Sequence, residues 1–162
     1  MRKIITYPDG RLREKSAAVD SFDDPLKNLA GELREIVSAT NAMGVSAPQI
    51  GVFQRVIAVQ REKGGILVLA NPVISKEEGI VTDKEGCLSM PGFYIDLPRP
   101  ARVTVTGFTV DGMECRYHAT GYFARAAAHE IDHLDGILMW DHLEQEQRET
   151  AISSYLKLSL KH

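Results

Sequence analysis

One segment, residues 122–134, constrains the fold of this chain more than any other. It follows a helical pattern rich in alanine, and Gly136 is well placed to end the helix. His129 and His133 stand four residues apart within it, so both imidazoles project from one face of a helix and can reach the same metal ion. The pattern therefore predicts a central metal-binding helix with the rest of the fold arranged around it.

The rest of the chain predicts an α+β fold. A helical pattern begins at Asp24-Pro25 and ends near Thr40-Asn41. A last helix begins at Asp141, where Glu144 completes a variant of the capping box. Segments rich in β-branched residues, with a hairpin turn at Asp111-Gly112, predict strands at 55–60, 65–74, 102–110 and 113–118. This order predicts mixed or antiparallel sheets around the central helix, with N-terminal and C-terminal helices.

Composition and charge fit one globular domain spanning 1–162. The residues are 44% hydrophobic and 25% charged, and 19 basic against 22 acidic side chains give a net charge of −3. That balance offers no general attraction to nucleic acid or to an anionic membrane, so neither is an expected partner. No stretch approaches the roughly 20 apolar residues that span a bilayer, and no signal peptide is apparent. Two cysteines make no disulfide framework, and we expect a cytoplasmic protein.

The predicted metal site has a group suited to acid–base chemistry beside it. Glu130 follows the first histidine and could take a proton from a water molecule that a metal activates. A catalytic site of this kind needs a third protein ligand and an open fourth position. Met139 stands where an astacin-like site would place a third histidine. The remaining candidates are Glu144, Glu149, His118, His142 and Cys87. On this motif alone, a small zinc metallopeptidase is one interpretation.

Two further short segments carry chemistry. Cys87 lies in the segment 85–89, where a neighbouring glycine lets the backbone pass close to an ion or a substrate. A thiolate binds divalent transition metals well, although core packing is the alternative role for a lone cysteine. In the segment 44–51, Gln49 offers a neutral amide donor of the type that stabilises an oxyanion. A surface glutamine in a loop is the alternative there.

These three segments together resemble, in order and spacing, the signature motifs of the peptide deformylase family. The family patterns are approximately G-φ-G-φ-A-A-P-Q, E-G-C-L-S and H-E-φ-D-H. The second and third are reproduced without substitution at 85–89 and 129–133. The similarity covers essentially the whole chain, including Asn71-Pro72, Pro91-Gly92 and Arg99. It implies that 1–162 is a single peptide deformylase-like catalytic domain.

The resemblance implies a role for each matched residue of the catalytic centre. The implied ligands of one divalent metal ion are Cys87, His129 and His133. Fe(2+) is the expected ion, and Zn(2+), Ni(2+) or Co(2+) are others that such ligands accept. Glu130 would act as general base on water, while Gln49 and the backbone N–H of Leu88 would hold the oxyanion. The implied reaction removes the formyl group from N-formylmethionyl peptides and releases formate.

The resemblance also implies how the peptide substrate would be bound. Its methionine side chain would enter a pocket lined by Met43, Tyr122, Arg125 and Ala126. For Met43 and Tyr122, plain core packing is an equally good interpretation. Backbone groups near Val45 and from the segment 86–91, which begins with Gly86, would pair with the peptide as an added strand. The implied set of substrate-binding residues also includes Gly44 and Arg99.

Three departures from the family pattern leave alternatives open. Ala42 and Ser46 stand where a glycine and an alanine are usual, and Ala128 replaces the glutamine that commonly precedes the first histidine of the metal motif. Loss of such a supporting side chain can lower metal affinity or activity by about 10–100-fold. The alternatives to an active deformylase are therefore a catalytically weak paralogue and the zinc metallopeptidase.

Charge near the end of the chain bears on the expected partners. Deformylases meet their substrate at the ribosome, and some members carry a basic C-terminal helix for that contact. Residues 141–162 hold three lysine and arginine side chains against four acidic ones. We therefore expect ribosome contact to be weak at most.

Overall fold

The computed structural model describes residues 2–161. It consists of one five-stranded antiparallel sheet with three helices around it. Strand order follows the chain, and neighbouring strands pair antiparallel throughout. The strands are β1 (Gly44–Ser46), β2 (Val56–Gln60), β3 (Ile66–Cys87), β4 (Met90–Phe108) and β5 (Glu114–Thr120). The helices are α1 (Asp24–Thr40), α2 (Gly121–Leu134) and α3 (Gln145–Ser159). The predicted α+β class is confirmed. Within residues 2–161, no helix is both long and apolar enough to cross a membrane.

Helix α1 forms because its first turn is capped and one of its faces is apolar. The Asp23 carboxylate accepts a hydrogen bond from the Leu26 backbone N–H at 3.2 Å, and Pro25 lies in the first turn. The cap is thus Asp23, one residue before the predicted Asp24. The buried residues recur at helical spacing: Leu26, Leu29, Ala30, Leu33, Ile36 and Val37. Asn41, in left-handed conformation with φ of 55°, ends the helix where the sequence predicts.

Strands β3 and β4 form a hairpin that is longer than the sequence predicts. The predicted strands 65–74 and 102–110 cover only one end of each. Most side chains between 75 and 84 are exposed, so no apolar alternation marks this part of β3 as a strand. The strand register shifts at three points, the last of them between Gly86 and Cys87. This irregularity lies at the point where β3 reaches the predicted metal site.

Helix α2 packs across the sheet and is buried along most of its length. Small side chains let it approach the strands closely. The shared apolar cluster includes Ala124, Ala127, Ile131 and Leu134 from the helix and Ile57, Val59, Leu69, Val103 and Val105 from the strands. Gly136 follows the helix with φ of 70°, and a Cβ there would collide with the backbone carbonyl of Arg13. The predicted central helix and its end are confirmed.

The last helix begins later than the sequence predicts. Residues Met139–His142 form a 3-10 turn, and α3 starts at Gln145 with Glu144 as its cap residue. The predicted start at Asp141 is therefore wrong. The Asp141 carboxylate instead accepts a hydrogen bond from the Leu138 backbone N–H at 2.8 Å, so it stabilises the turn before the helix.

Candidate active site

Three potential metal ligands meet in the structure, two from α2 and one from the end of β3. The ligand atoms of Cys87, His129 and His133 all lie within 4.8 Å of one another. The two histidine Nε2 atoms are 3.1 Å apart, and Cys87 Sγ lies 3.2 Å from His133 Nε2. Across residues 2–161, no other three side chains of His, Cys, Asp or Glu gather closely enough to hold one ion. The fold thus selects Cys87 from the five candidates for a third ligand.

The other four candidates lie elsewhere in the fold. His118 lies on β5, Glu144 caps α3, and Glu149 lies within α3. His142 is closer to the site, but its Nε2 lies 2.7 Å from the carboxylate of Asp132. None of the four joins the cluster of three ligand atoms.

The donor set fits a divalent transition metal. One thiolate and two imidazoles are ligands that Fe(2+), Co(2+), Ni(2+) and Zn(2+) accept, and three protein ligands leave a fourth position open. Burial, reinforced by the neighbouring His129, holds the pKa of His133 well below its usual range. A neutral imidazole has the free lone pair that a metal needs, so this environment favours the ligand form of His133.

The carboxylate of Glu85 holds the first histidine in place. His129 Nδ1 lies 2.7 Å from Glu85 Oε2, which directs the opposite nitrogen, Nε2, toward Cys87 and His133. Arg99 binds the same carboxylate through two hydrogen bonds of 2.9 and 2.8 Å. Burial opposes ionisation of Glu85, but hydrogen bonds from Arg99 and His129 outweigh it and keep the pKa of that carboxyl well below its usual range. Glu85 is therefore ionised and holds the His129 ring in position.

Glu130, which lines the cavity next to His129, carries a buried carboxylate oxygen without a hydrogen-bond partner. The side chain is buried, and its Oε2 atom has no hydrogen-bond partner. Burial raises the pKa of Glu130 to about 7. Gly44 lies directly against it, since a Cβ at that position would be 3.0 Å from Glu130 Cγ. An unpaired buried carboxylate is costly, and one with a pKa near neutrality is suited to accepting and releasing a proton.

Gln49 lies behind Cys87, in the short 3-10 helix Ala47–Ile50. Its side chain is buried, and its Nε2 atom donates to Ser89 Oγ at 3.0 Å and lies 3.6 Å from Cys87 Sγ. Its Oε1 atom accepts hydrogen bonds from the backbone N–H and the hydroxyl of Ser46. The amide therefore directs its nitrogen, and not its oxygen, toward the metal ligands.

A cavity of about 490 Å³ opens beside these residues. Cys87, His129, Glu130 and Leu88 contribute to its wall, so the cavity adjoins the potential metal ligands. The wall also contains six of the eight predicted substrate-binding residues: Met43, Gly44, Gly86, Tyr122, Arg125 and Ala126. Tyr122 is 52% exposed, so core packing does not account for it.

The other two predicted substrate-binding residues do not line the cavity. Val45 is fully buried within β1. Arg99 is buried as well, and its guanidinium is occupied by Glu85 and by Asp132 at 2.7 Å. Contrary to the expectation, the Arg99 side chain is not positioned to touch a substrate, because its charge is used to hold the carboxylates behind the metal ligands.

The sequence does not indicate the hydrogen bonds that the Arg125 guanidinium makes. Its guanidinium donates to Glu85 Oε1 at 3.1 Å and to the backbone carbonyls of Leu97 and Val81 at 2.7 and 2.8 Å. These partners stand 28 to 44 residues away in the chain, so no local spacing indicates them. Sequence analysis also did not single out several other residues of the cavity wall, among them Lys84, Phe93 and Tyr94.

Comparisons with known proteins identify the family of this chain and agree with its fold. A family model described as Polypeptide deformylase matches residues 1–149. A peptide deformylase from Thermomicrobium roseum is 40% identical, over 93% of this chain and 96% of that protein. The crystal structure of a peptide deformylase from Legionella pneumophila matches with a TM-score of 0.90 and 34% identity, covering 98% of this chain and 95% of that one. The corresponding structure from Thermus thermophilus matches with a TM-score of 0.88 and 38% identity, covering 95% and 92%.

The chain therefore belongs to the peptide deformylase family. Members of this family are metal-dependent hydrolases that remove the formyl group from nascent peptides, and this protein is an enzyme of that kind. The resemblance carried by the three motifs is thus confirmed for family, fold and activity. The family assignment decides against the alternative of a zinc metallopeptidase.

Proposed function

We propose that Cys87, His129 and His133 hold the metal ion of this deformylase and that Glu130 is its general base. The observation that carries the proposal is the position of the Glu130 carboxylate. Its Oε2 atom is buried and unpartnered, and Glu130 lines the same cavity as Cys87 and His129. A base must lie within reach of the proton that it takes, and this placement satisfies that condition.

The reaction follows from the placement of the chain's own groups. When bound, a divalent ion in this site supplies a Lewis acid that activates water and polarises a carbonyl oxygen. Glu130 accepts a proton as water adds to the formyl carbon, and it returns that proton to the nitrogen when the C–N bond breaks. Gln49 Nε2 and the backbone N–H of Leu88 donate to the formyl oxygen as negative charge develops on it. The products are formate and a peptide with a free amino terminus.

For the metal we propose Fe(2+). Two imidazoles and one thiolate leave the ion with a net charge of +1, and this mixed donor set suits a borderline metal. Zn(2+), Ni(2+) and Co(2+) are the ions expected to replace it in a purified sample. Metal analysis of protein prepared without oxygen tests the assignment, because thiolate-bound iron is sensitive to oxidation. Stoichiometric zinc and no iron in such a preparation would contradict it.

We propose that N-formylmethionyl peptides bind along the cavity as an added strand. Strand β1 is at the edge of the sheet, so Gly44 and Val45 have one free side for backbone pairing. Gly86 also lines the cavity, at the register shift of β3. The methionine side chain occupies the part of the cavity walled by Met43, Tyr122, Ala126 and the aliphatic stem of Arg125. This mode recognises main chain more than side chains, as an enzyme acting on many peptides requires.

The central test pairs two substitutions with a matched control. Glu130→Gln keeps the metal and lowers kcat by about 10²–10⁴-fold for formate release from a formyl-methionyl peptide. Cys87→Ala loses the metal. Cys115→Ala changes the other cysteine, which is also half-buried but lies on β5, and keeps both metal and activity. Full activity of Glu130→Gln, or unchanged metal content of Cys87→Ala, contradicts the proposal.

We further propose that 1–162 acts as a single catalytic domain in the cytoplasm, with only weak ribosome contact of its own. The small excess of acidic over basic side chains in 141–162 supports the last point, since ribosome surfaces are strongly anionic. Co-sedimentation with ribosomes over a range of salt concentrations tests it. A tight, salt-sensitive complex would contradict weak contact without affecting the catalytic assignment.

A further inference from the structure

The side-chain amide of Gln49 is held at both ends by buried serines. Ser46 donates to Gln49 Oε1 from its backbone N–H at 2.9 Å and from its hydroxyl at 3.0 Å. At the other end, Gln49 Nε2 donates to Ser89 Oγ at 3.0 Å. Both serines are fully buried, so no bulk water competes for these hydrogen bonds.

This arrangement determines which way the amide faces. The backbone N–H of Ser46 can only donate, so it requires an oxygen opposite it. A thiolate at Cys87 can only accept, so it requires the NH₂ group on its side. Turning the amide by 180° would place NH₂ against a donor and oxygen against the sulfur. The hydroxyl of Ser46 is a second donor to the amide oxygen, so it further favours the orientation in which that oxygen faces Ser46.

The hydrogen bonds also determine how many N–H groups remain for the reaction. The NH₂ group has two hydrogens, and Ser89 Oγ takes one of them. The other is directed to the side of Cys87, where Sγ lies 3.6 Å from Nε2. Stabilisation of a developing oxyanion depends on donors that are already oriented before the reaction begins.

We propose that the hydroxyls of Ser46 and Ser89 are positioning groups for Gln49. Ser46 holds the amide oxygen and Ser89 binds one N–H. The second N–H faces Cys87 Sγ at 3.6 Å, and it would be the one to turn to the formyl oxygen when Cys87 binds the metal. This inference rests on the proposed role of Gln49 as an oxyanion donor. It also gives a function to Ser46, which stands where the family pattern has an alanine and which carries no other side-chain hydrogen bond among those of residues 2–161.

Double-mutant cycles test the inference, with kcat and KM measured separately on the metal-loaded enzyme. We expect Gln49→Ala to lower kcat by about 10²–10³-fold. Ser46→Ala and Ser89→Ala each lower kcat by about 3–10-fold and leave KM and metal content nearly unchanged, because only the preorganisation of the amide is lost. In the Gln49→Ala background the same serine substitutions change kcat by less than about twofold, since the group that they position is gone.

Ser16→Ala is the matched control. Ser16 is also a buried serine, but its hydroxyl has no hydrogen-bond partner and it lies in the N-terminal segment. We expect wild-type kcat and thermal stability from this variant. A fall in kcat equal to that of Ser46→Ala would mean that buried serines affect activity through the fold in general, and it would overturn the inference.

A second measurement does not depend on turnover. In the zinc-loaded protein, the Gln49 side-chain N–H protons exchange slowly with solvent, and Ser46→Ala and Ser89→Ala accelerate that exchange. Unchanged kcat in both serine variants, together with a large loss in Gln49→Ala, overturns the inference but leaves the proposed function intact. Unchanged kcat in Gln49→Ala removes Gln49 from the proposed function and the inference with it, while the tests on Glu130 and Cys87 still stand.

Discussion

His129 Nδ1 and Glu85 Oε2 lie 2.7 Å apart, and this contact ties α2, the helix that carries the proposed ligands His129 and His133, to the end of β3. Two arginines bind the same carboxylate, so one anion links the helix and both long strands of the hairpin. The network continues through Arg99 to Asp132 at 2.7 Å, one residue before His133. The orientation of the His129 imidazole therefore depends on a buried network of charges, two of which, Glu85 and Arg125, also line the cavity.

Replacement of Glu85 by glutamine is expected to weaken metal binding by about 10–100-fold. The amide keeps the size of the side chain but loses the charge that holds His129 and the two guanidiniums. Competition with a chelator of known affinity measures the change. Glu77→Gln, an exposed glutamate on the same strand, is the control and keeps wild-type affinity. Equal affinities of the two variants would show that Glu85 does not support the metal site.

The same carboxylate predicts how stability of the metal-free protein depends on pH. The pKa of Glu85 is lowered in the folded protein from its ordinary value of 4.5, because favourable hydrogen bonds outweigh its burial. A depressed pKa contributes stability at pH values above 4.5, and that contribution is lost as pH falls toward the folded-state pKa. We expect Glu85→Gln to lose roughly 3–5 kcal/mol near pH 7, as when one partner of a buried ion pair is removed. Urea unfolding at several pH values tests this, and the difference from wild type must shrink below pH 4.5.

Hydrophobic periodicity is sufficient to predict the elements that have one buried face. Helix α1 falls on its predicted bounds because its apolar residues recur at helical spacing. Helix α2 and strand β2 are buried on most sides, and they fall close to their predicted bounds because turn signals bound a run rich in alanine and a run rich in β-branched residues. The outer part of β3 could not be predicted in this way. Its side chains are mostly exposed, so backbone pairing with β4 holds it as a strand without an apolar pattern. The start of α3 was misplaced because Asp141 stabilises a preceding 3-10 turn.

At the site, the sequence identifies the groups that lie within short motifs. Cys87, His129 and His133 come together as the family resemblance implies, and the spacing of the two histidines alone requires that they share a helix face. The hydrogen-bond partners of Glu85 could not be predicted from a short motif, because Arg99 and Arg125 stand 14 and 40 residues away from it. Contacts of that kind depend on strand register and on how α2 lies against the sheet, which no local pattern encodes.

Trp140 is expected to be the largest single contributor to the packing of the C-terminal part. It is fully buried, and its ring centroid lies 4.7 Å from that of Tyr7 and 5.9 Å from that of Tyr155 in α3. Trp140→Ala should lower the free energy of unfolding by about 3–5 kcal/mol. Its Nε1 has no hydrogen-bond partner, so Trp140→Phe should cost much less. Urea unfolding measures both, and equal losses would contradict a packing role.

Gly44 is expected to be essential because Glu130 and strand β2 leave no space for a side chain. A Cβ at this position would lie 2.9 Å from the backbone oxygen of Ala58 and 3.0 Å from Glu130 Cγ. Gly44→Ala must displace the Glu130 carboxylate or the edge strand, and we expect kcat to fall by about 10-fold or more while stability drops by about 1–3 kcal/mol. Gly31→Ala is the control, since nothing lies within 4 Å of its added methyl group in α1. That variant should keep wild-type kcat and gain about 0.5–1 kcal/mol of stability. Unchanged kcat in Gly44→Ala would show that Glu130 does not need the position that the structure assigns to it.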